Sequence, residues 1–141
     1  MALHEIIYVS LATHDMRPDE LVKLLDHARQ HNARRGITGL LLYHRREFLQ
    51  LIEGERSAVE ALYSAICLDP RHQQVHTLWD GPIETLGFGQ WSMGFVAPDE
   101  TVLRQHPGYE DLLGNNLHQL RRGSSGKKIL QQMRDEILSA A

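Results

Sequence analysis

The chain has 141 residues, of which 42% are hydrophobic, and this composition favours one globular domain with a substantial core over a disordered chain. Its 15 basic and 18 acidic residues are interspersed and leave a net charge of -3, which argues against a nucleic-acid-binding surface. No run approaches the roughly 18 apolar residues of a membrane span, and the charged N-terminal stretch does not resemble a signal peptide. We therefore expect a cytoplasmic protein that binds neither nucleic acid nor membrane.

The beginning of the chain carries the signals of a strand followed by a helix. Residues 5–11 are rich in β-branched and aromatic side chains, which predicts a buried strand. From Pro18 to about Arg35, apolar side chains recur at a helical period, acidic residues occupy the first turn and Gly36 follows the last. These signals predict an amphipathic helix that ends at Arg35.

Two apolar runs come next, at residues 37–43 and 48–53. The polar residues 44–47 between them predict a hairpin with a four-residue loop. Neither run alternates between apolar and polar side chains, so we expect both strands to lie inside the sheet.

The following segment predicts a second helix and a fourth strand. Ser57 followed by Glu60 has the capping-box pattern of a helix start, and the Asp-Pro pair at 69–70 ends that helix. Residues 74–79 then predict a strand that is closed by a turn at the Gly-Pro pair 81–82.

A fifth strand at residues 91–96 completes the order βαββαββ. This order predicts an α+β fold with a ferredoxin-like mixed sheet and both helices on one face. We expect residues 1–98 to form this domain and residues 99–141 to form a helical extension. The last helix of the extension carries one apolar stripe that needs a surface to cover, formed by Ile129, Leu130, Met133 and Ile137.

The cysteine and histidine content does not indicate a metal centre. Cys67 is the single cysteine, which excludes an internal disulfide, and its apolar neighbours predict a small core residue. His27 and His31 are spaced as a pair on the first helix, but no carboxylate companion of a metal motif accompanies them. Nucleophile-elbow and phosphate-loop sequences are also absent. We expect neither a metal site nor an enzyme.

Two polar side chains lie inside strands that are otherwise apolar. Gln50 interrupts residues 48–52 and brings two donors and an acceptor into a dry setting, at a cost of roughly 1–3 kcal/mol if they stay unpaired. Tyr8 brings a phenol into the run 6–9 in the same way. If the first and third strands are neighbours, one hydrogen-bonded pair satisfies both groups, either as a structural pair in the core or as part of a ligand site.

Five segments together carry a family resemblance. They are IIYVS at 6–10, ARQHNARRGITGLLLY at 28–43, FLQLIEGER at 48–56, DPRHQ at 69–73 and WSMGF at 91–95. Over roughly residues 3–97 the chain resembles the BLUF family of blue-light sensors that use flavin, of which the buried Tyr8 and Gln50 are hallmarks. The resemblance implies a photoreceptor that holds FAD, or FMN, non-covalently between two helices and a ferredoxin-like sheet.

The resemblance also implies roles for individual side chains. Tyr8 and Gln50 would form the hydrogen-bonded pair beside the flavin ring, with Gln50 bridging the phenol and the N5/O4 edge. Asn32 corresponds to the asparagine that bonds the pyrimidine side of the ring, and His31 lies beside it. The other implied contacts are Leu24 and Ile66 on the two faces of the ring, Arg29, Asp69, Arg71 and His72 at the ribityl and phosphate end, and Trp91, Ser92 and Met93 as the signal relay.

In the family's mechanism, light moves an electron and a proton from the tyrosine to the flavin, and the glutamine rotates or tautomerises. The rearranged hydrogen bonds shift the flavin absorption slightly to the red, and we expect them to bias the fifth strand. An output domain does not fit after this sheet within 141 residues, so the resemblance implies signalling to a separate partner protein. The C-terminal helices could equally build a homo-oligomer.

Two other functions stay open at this point. Acylphosphatase-like hydrolases share the fold and need an anion-binding loop after the first strand. Arg17 lies there, but residues 11–16 lack the glycines of a phosphate nest. The second alternative is a flavin-free interaction module, against which the pair Tyr8 and Gln50 counts.

Overall fold

Five strands and two helices alternate along the residues that the computed structural model describes, which are 2–44, 46–86 and 94–96. The elements are β1 (Leu3–Ala12), α1 (Pro18–Arg35), β2 (Thr38–His44), β3 (Glu47–Glu55), α2 (Arg56–Cys67), β4 (His72–Ile83) and β5 (Gly94–Val96). This order confirms the predicted βαββαββ arrangement and the α+β class. The predicted helical extension at 99–141 lies outside the described residues.

The strands form one mixed sheet in the order β4-β1-β3-β2-β5. β1 pairs antiparallel with β3 and β4, β2 pairs antiparallel with β3, and β5 pairs parallel with β2. β2 and β3 therefore lie inside the sheet, as their continuous apolar runs predict.

Both helices pack on one face of the sheet, and one core cluster joins them to it. Leu21 and Leu25 of α1 and Val59 of α2 are fully buried in that cluster. The strands contribute alternate residues, because side chains on a strand point to opposite faces in turn. These strand residues are Ile6, Ala12, Leu41, Tyr43, Phe48 and Ile52.

The opposite face of the sheet is buried as well. Its residues occupy the other alternate positions of the same strands, and they are Ile7, Leu40, Leu42, Leu49 and Leu51. Burial on both faces explains why the central strands lack an apolar–polar alternation.

The start and stop signals of α1 work as the sequence predicts. At its start, the backbone N–H of Arg17 donates a hydrogen bond to the Glu20 carboxylate at 3.1 Å. This bond satisfies one of the backbone amides at the N-terminus of the helix. At its end, Gly36 adopts the left-handed conformation with φ 66°, and its N–H donates to the carbonyl oxygen of Asn32. Glycine stops the helix at little cost because it has no Cβ to strain.

The hairpin loop is shorter than predicted. His44 and Glu47 pair across β2 and β3, so two residues connect the strands rather than four. Arg46 has a positive φ of 70°, which two-residue hairpin loops require. The backbone carbonyl of Arg46 accepts a hydrogen bond from the N–H of Ala12 at 2.8 Å. The guanidinium of Arg46 donates a second hydrogen bond to the carbonyl oxygen of Ala12 at 2.9 Å. These contacts hold the short loop against the end of β1.

The predicted turn at residues 81–82 is wrong, because β4 continues through both residues to Ile83. Pro82 pairs with His4 of β1. β4 is the last strand of the sheet order, and proline is tolerated on an edge strand because its missing N–H interrupts no second ladder.

Two predictions about α2 are also wrong. The helix begins at Arg56, and the Ser57 hydroxyl donates to the Glu55 carboxylate at 2.6 Å instead of capping the helix. Cys67 is exposed rather than in the core. It is the last residue of α2 and lies beyond the positions of that helix that pack on the core cluster.

No helix in the described ranges is long and apolar enough to cross a membrane.

Two glycines give a matched test of this backbone. A Cβ at Gly39 would collide with the carbonyl oxygen of Leu51 on the paired strand, whereas a Cβ at Gly36 would meet no atom within 4 Å. We expect Gly39→Ala to lower the free energy of unfolding by roughly 2–3 kcal/mol through forced strand displacement. Gly36→Ala should cost only about 1 kcal/mol, for the left-handed φ. Urea unfolding of both variants checks this order, and equal losses would contradict it.

Candidate functional site

A cavity of about 200 Å³ lies between the sheet and the two helices. The sheet contributes Tyr8, Leu41, Phe48, Gln50 and His72, α1 contributes Leu24, His27, Ala28, His31 and Asn32, and α2 with the loop after it contributes Leu62, Ala65, Ile66, Asp69 and Arg71. Apolar side chains make up much of this lining, and a few polar groups converge among them. That combination is typical of a small-molecule site.

Tyr8 and Gln50 lie together on the sheet side of the cavity. They face each other in the pairing of β1 with β3, and Gln50 faces Leu41 in the pairing of β2 with β3. The Tyr8 hydroxyl donates a hydrogen bond to Oε1 of Gln50. Tyr8 is 3% and Gln50 8% exposed, so the pair satisfies two polar groups that have little access to water. The structure thus contains the hydrogen bond that the sequence predicts.

Burial raises the pKa of the Tyr8 phenol far above its ordinary value, and the nearby Tyr63, Cys67 and Asp69 add to the effect. The low-polarity surroundings disfavour the phenolate because the charged form would lose its hydration. The phenol therefore remains protonated through the neutral range and remains a hydrogen-bond donor to Gln50.

Leu24 and Ile66 reach the cavity from its two helical sides. Both are partly buried and pack against the core cluster. Aliphatic side chains exclude water and offer no group that is easily oxidised. The slot between them suits a flat, apolar ring.

The last turn of α1 contributes two polar side chains. Asn32 is 1% exposed. Its backbone carbonyl oxygen accepts a hydrogen bond from the backbone N–H of Ile37 at 3.0 Å, which fixes the position of Asn32 at the end of the helix. Nδ1 of His31 is buried and has no hydrogen-bond partner within the described part of the chain. Because an unpartnered buried nitrogen is unfavourable, this group is available to a molecule in the cavity.

Asp69 and Arg71 form an ion pair at the exposed end of the cavity. The Arg71 Nε donates to both carboxylate oxygens at 3.0 Å, and the side chains are 44% and 25% exposed for Arg71 and Asp69 respectively. The hydrogen bond to Arg71 lowers the pKa of Asp69, and the same bond raises the pKa of Arg71. Both groups are therefore charged at neutral pH, so this end of the site holds one positive and one negative group.

His72 lines the cavity with its ring, and both of its ring nitrogens already have partners. Nε2 lies 2.6 Å from the carbonyl oxygen of Ile66, and Nδ1 lies 2.8 Å from the Ser10 hydroxyl. Because a carbonyl only accepts, Nε2 carries the proton, and in the neutral ring Nδ1 accepts from Ser10. The ring also stands edge-on to Tyr8, with centroids 6.3 Å apart. His72 thus acts as a fixed wall of the cavity.

One predicted contact does not reach the cavity. Arg29 of α1 is absent from the described lining, which includes its neighbour Ala28. It follows Ala28 by one residue, which turns it about 100° around the helix from Ala28 and farther still from Leu24 and His31. The predicted relay residues 91–93 lie outside the described residues.

Several lining residues were not predicted. Helical spacing could have found those on α1, since His27 and Ala28 follow Leu24 by three and four positions. The same spacing links Leu62 and Ile66 on α2. Phe48 could have been found from strand alternation, because it lies two residues before Gln50 on the same face.

Within the described ranges, no group of three or more histidine, cysteine, aspartate or glutamate side chains could hold a metal ion. His27 and His31, the predicted helical pair, both line the cavity instead.

A family model described as "Sensors of blue-light using FAD" matches residues 3–94 of the chain. The chain belongs to the BLUF family. The matched range contains both helices and every strand that contributes to the cavity. The family consists of blue-light sensors with a flavin cofactor, which is the function that the sequence predicts.

Relatives with curated descriptions contain this domain within longer chains. The chain is 34% identical to the photoactivated adenylate cyclase subunit beta of Euglena longa over 112 residues, which are 79% of this chain and 13% of the relative. It is 39% identical to the blue light- and temperature-regulated antirepressor BluF of Escherichia coli (strain K12) over 64 residues, 43% of this chain and 16% of that protein. The chain thus spans only about an eighth of the length of the cyclase subunits.

Similar proteins among the solved structures include one of about the same length as this chain and one that is about three times as long. The dark-state structure of BlrB, a BLUF protein, matches with a TM-score of 0.70 and 31% identity over 99% of this chain and 98% of BlrB. A manganese and cyclic diGMP complex of BlrP1 from Klebsiella pneumoniae matches with a TM-score of 0.76 and 29% identity, over 94% of this chain and 33% of BlrP1.

The protected phenol of Tyr8 can be tested by titration. The chain has four tyrosines, and a tyrosine with a raised pKa stabilises the fold below its unfolded pKa of about 10 and loses that contribution as the pH rises above it. We expect Tyr8→Phe and the native sequence to give equal tyrosinate absorbance through the ordinary range, before alkaline unfolding. In denaturant the native sequence should show one more tyrosinate. A one-tyrosine difference in the folded proteins would contradict the buried, protonated phenol.

Proposed function

We propose that this BLUF protein is a blue-light photoreceptor whose photoactive pair is Tyr8 and Gln50, with a flavin bound non-covalently in the cavity between α1 and α2. The observation that carries the proposal is the buried hydrogen bond between the phenol and the amide at the sheet side of that cavity. A buried polar network is costly when it is mispaired, so it has few stable arrangements. A change at Gln50 can therefore act as a switch.

The residues around the cavity fit a flavin. Its ring system needs apolar contacts on both faces, which Leu24 and Ile66 can supply from opposite helices. Its polar edge needs hydrogen-bond partners, and the buried Nδ1 of His31, which has no partner within the described residues, can be one of them. Its phosphate end needs a cation, and the exposed guanidinium of Arg71 is suited to charge-assisted hydrogen bonds.

We assign the remaining contacts on the same grounds. Asn32 would bind the pyrimidine side of the ring together with His31. Asp69 would orient Arg71 toward the phosphate end. His72 would shape the wall with its ring rather than bind phosphate, because both of its nitrogens are engaged. Arg29 remains a candidate only beyond the cavity, for the outer phosphate groups.

FAD is the proposed cofactor, in line with the family description. FMN is the alternative, because a structure of BlrP1 from Klebsiella pneumoniae contains FMN. BlrP1 is 35% identical to this chain over 67% of this chain's length. The two cofactors share the ring and the first phosphate, so the contacts assigned above apply to both, except that of Arg29, which would apply to FAD alone.

A bound flavin would supply light absorption and an acceptor for one electron and one proton. The protein orients the groups that respond. Tyr8 is an easily oxidised side chain, and its hydroxyl proton points at Oε1 of Gln50. Rotation or tautomerisation of the amide exchanges the group that Gln50 presents to the phenol. Because a phenol can accept as well as donate a hydrogen bond, Tyr8 is satisfied in both arrangements.

We propose that the signal leaves through the strand that the sequence predicts at 91–96 and reaches a separate protein effector or a second copy of this chain. β5 supports this route because it pairs with β2, and its residue Phe95 pairs with Leu41 beside Gln50. A rearranged amide at Gln50 thus lies two strands from β5. The relay by Trp91, Ser92 and Met93 and the cytoplasmic location stay predictions from the sequence.

The hydrolase alternative is not favoured. Arg17, its candidate anion-binding residue, contacts the carboxylates of Asp19 and Glu20 at 3.4 Å. Residues 11–16, which precede Arg17, contain no glycine that could form a phosphate nest. The family match also counts against the flavin-free alternative.

Tyr8→Phe tests the role of the phenol. We expect the variant to bind flavin in normal amount, because the ring and its packing remain, and to lose the light-induced red shift, because the hydroxyl proton is gone. Absorption spectra in darkness and under blue light measure both properties. A normal shift in Tyr8→Phe would refute the assigned role.

Tyr43→Phe is the matched control, since it removes another buried tyrosine hydroxyl outside the cavity lining. That hydroxyl donates to Asp15 at 3.1 Å and accepts the N–H of Met16 at 3.0 Å. We expect this variant to lose stability by about 1–2 kcal/mol and to keep the red shift in full.

Arg71→Gln tests the phosphate end of the site. Loss of a charge-assisted hydrogen bond should weaken the binding of both FAD and FMN by roughly tenfold. Arg34→Gln, a loss of the same charge in the last turn of α1, should leave both affinities unchanged. Calorimetric titration of the flavin-free native protein and the two variants gives the six constants, and an unchanged affinity in Arg71→Gln would exclude Arg71 from the site.

A further inference from the structure

The ring of Tyr8 packs against a second tyrosine that does not line the cavity. The centroids of Tyr8 and Tyr63 lie 5.4 Å apart, with the rings inclined by 49°. This separation lies within the range of favourable aromatic pairs. Tyr63 is on α2 and only partly buried, so it touches the photoactive residue from the solvent side rather than from the flavin side.

Tyr63 is itself tied to the sheet. Its hydroxyl forms a hydrogen bond of 2.5 Å with the hydroxyl of Thr77 on β4. Thr77 is the residue that faces Tyr8 in the pairing of β1 with β4. Tyr63 on α2 therefore contacts one residue on each of two adjacent strands, Tyr8 on β1 and Thr77 on β4.

A β-bulge in β4 makes this arrangement possible. Ile7 pairs with Trp79 and Tyr8 pairs with Thr77, so the pairing skips Leu78. With a regular register, Leu78 would face Tyr8, and leucine could not bind the Tyr63 hydroxyl. Bulges commonly redirect a side chain near a functional site. Leu78 is 39% exposed at this point.

From these contacts we propose that Tyr63 and Thr77 are positioning residues for the photoactive Tyr8. Tyr63 holds the Tyr8 ring against the sheet, and Thr77 holds Tyr63. The proposal rests on the function proposed above and extends it. Because Thr77 lies on the edge strand β4, the arrangement also links the photoactive pair to the side of the sheet opposite β5.

Three variants separate the ring from the hydrogen bond. Tyr63→Leu removes the ring, Tyr63→Phe keeps the ring but removes the bond to Thr77, and Thr77→Val removes the same bond while keeping a β-branched residue in the strand. Tyr43→Phe serves as the control, since it removes a tyrosine hydroxyl away from the Tyr8 ring.

The first readout is the light response of the flavin-loaded protein. We expect normal flavin content in all variants. Tyr63→Leu should change the dark-recovery rate constant by roughly threefold or more, the effect of losing a contact as strong as one hydrogen bond. Tyr63→Phe and Thr77→Val should give equal, smaller changes, and the double variant should match either one, because all three remove the same bond. Native recovery and a native red shift in Tyr63→Leu would overturn the proposal.

The second readout does not need a photocycle. In protein carrying ¹³C-labelled tyrosine rings, the Tyr8 signal is identified by its absence from Tyr8→Phe. We expect it to move in Tyr63→Leu and Thr77→Val and to stay in place in Tyr43→Phe. A Tyr8 signal that is unchanged in Tyr63→Leu would also overturn the proposal. If the native protein shows no light response at all, the photoreceptor proposal fails, and this spectrum alone still decides whether Tyr63 positions Tyr8.

Discussion

The hydrogen bond between Tyr8 and Gln50 is the interaction on which the site depends. Each residue brings polar atoms into strands that are otherwise apolar, and each would be costly without the other. The sheet topology brings them together, because β1 and β3 are adjacent and their register sets the two residues directly opposite. A slip of one residue would turn Gln50 to the other face of the sheet. The ferredoxin-like fold thus supplies the pair, and the two helices above it supply the cavity.

The side chains around Tyr8 are held in place where the proposed chemistry needs a fixed geometry. His72 is held through both ring nitrogens, and Tyr63 is held by Thr77. These contacts leave Gln50 as a side chain whose amide can present either of two different groups to a phenol. A switch requires one group that can adopt two arrangements, within surroundings that keep a single arrangement. The rings around Tyr8 meet that requirement.

Local patterns in the sequence were enough to predict the elements, the sheet class and the central pair. The period of α1 with Gly36 after it, and the polar interruption at Gln50, are visible within a few residues. Features that depend on distant contacts could not be predicted in this way. Pro82 is tolerated in β4 because that strand is at the edge, and the nitrogens of His72 are occupied by Ser10 and Ile66, which only the folded chain brings near. The bulge at Leu78 likewise depends on the pairing of β4 with β1.

The most direct test of the account is the visible absorption spectrum of the purified protein loaded with flavin, recorded in darkness, under blue light and after return to darkness. The account predicts that the flavin bands move slightly to the red under light and return in the dark, because only the hydrogen bonds around Gln50 change. Bound flavin whose bands do not move would contradict the photoactive role of the pair. A protein that takes up neither FAD nor FMN would contradict the assignment of the cavity itself.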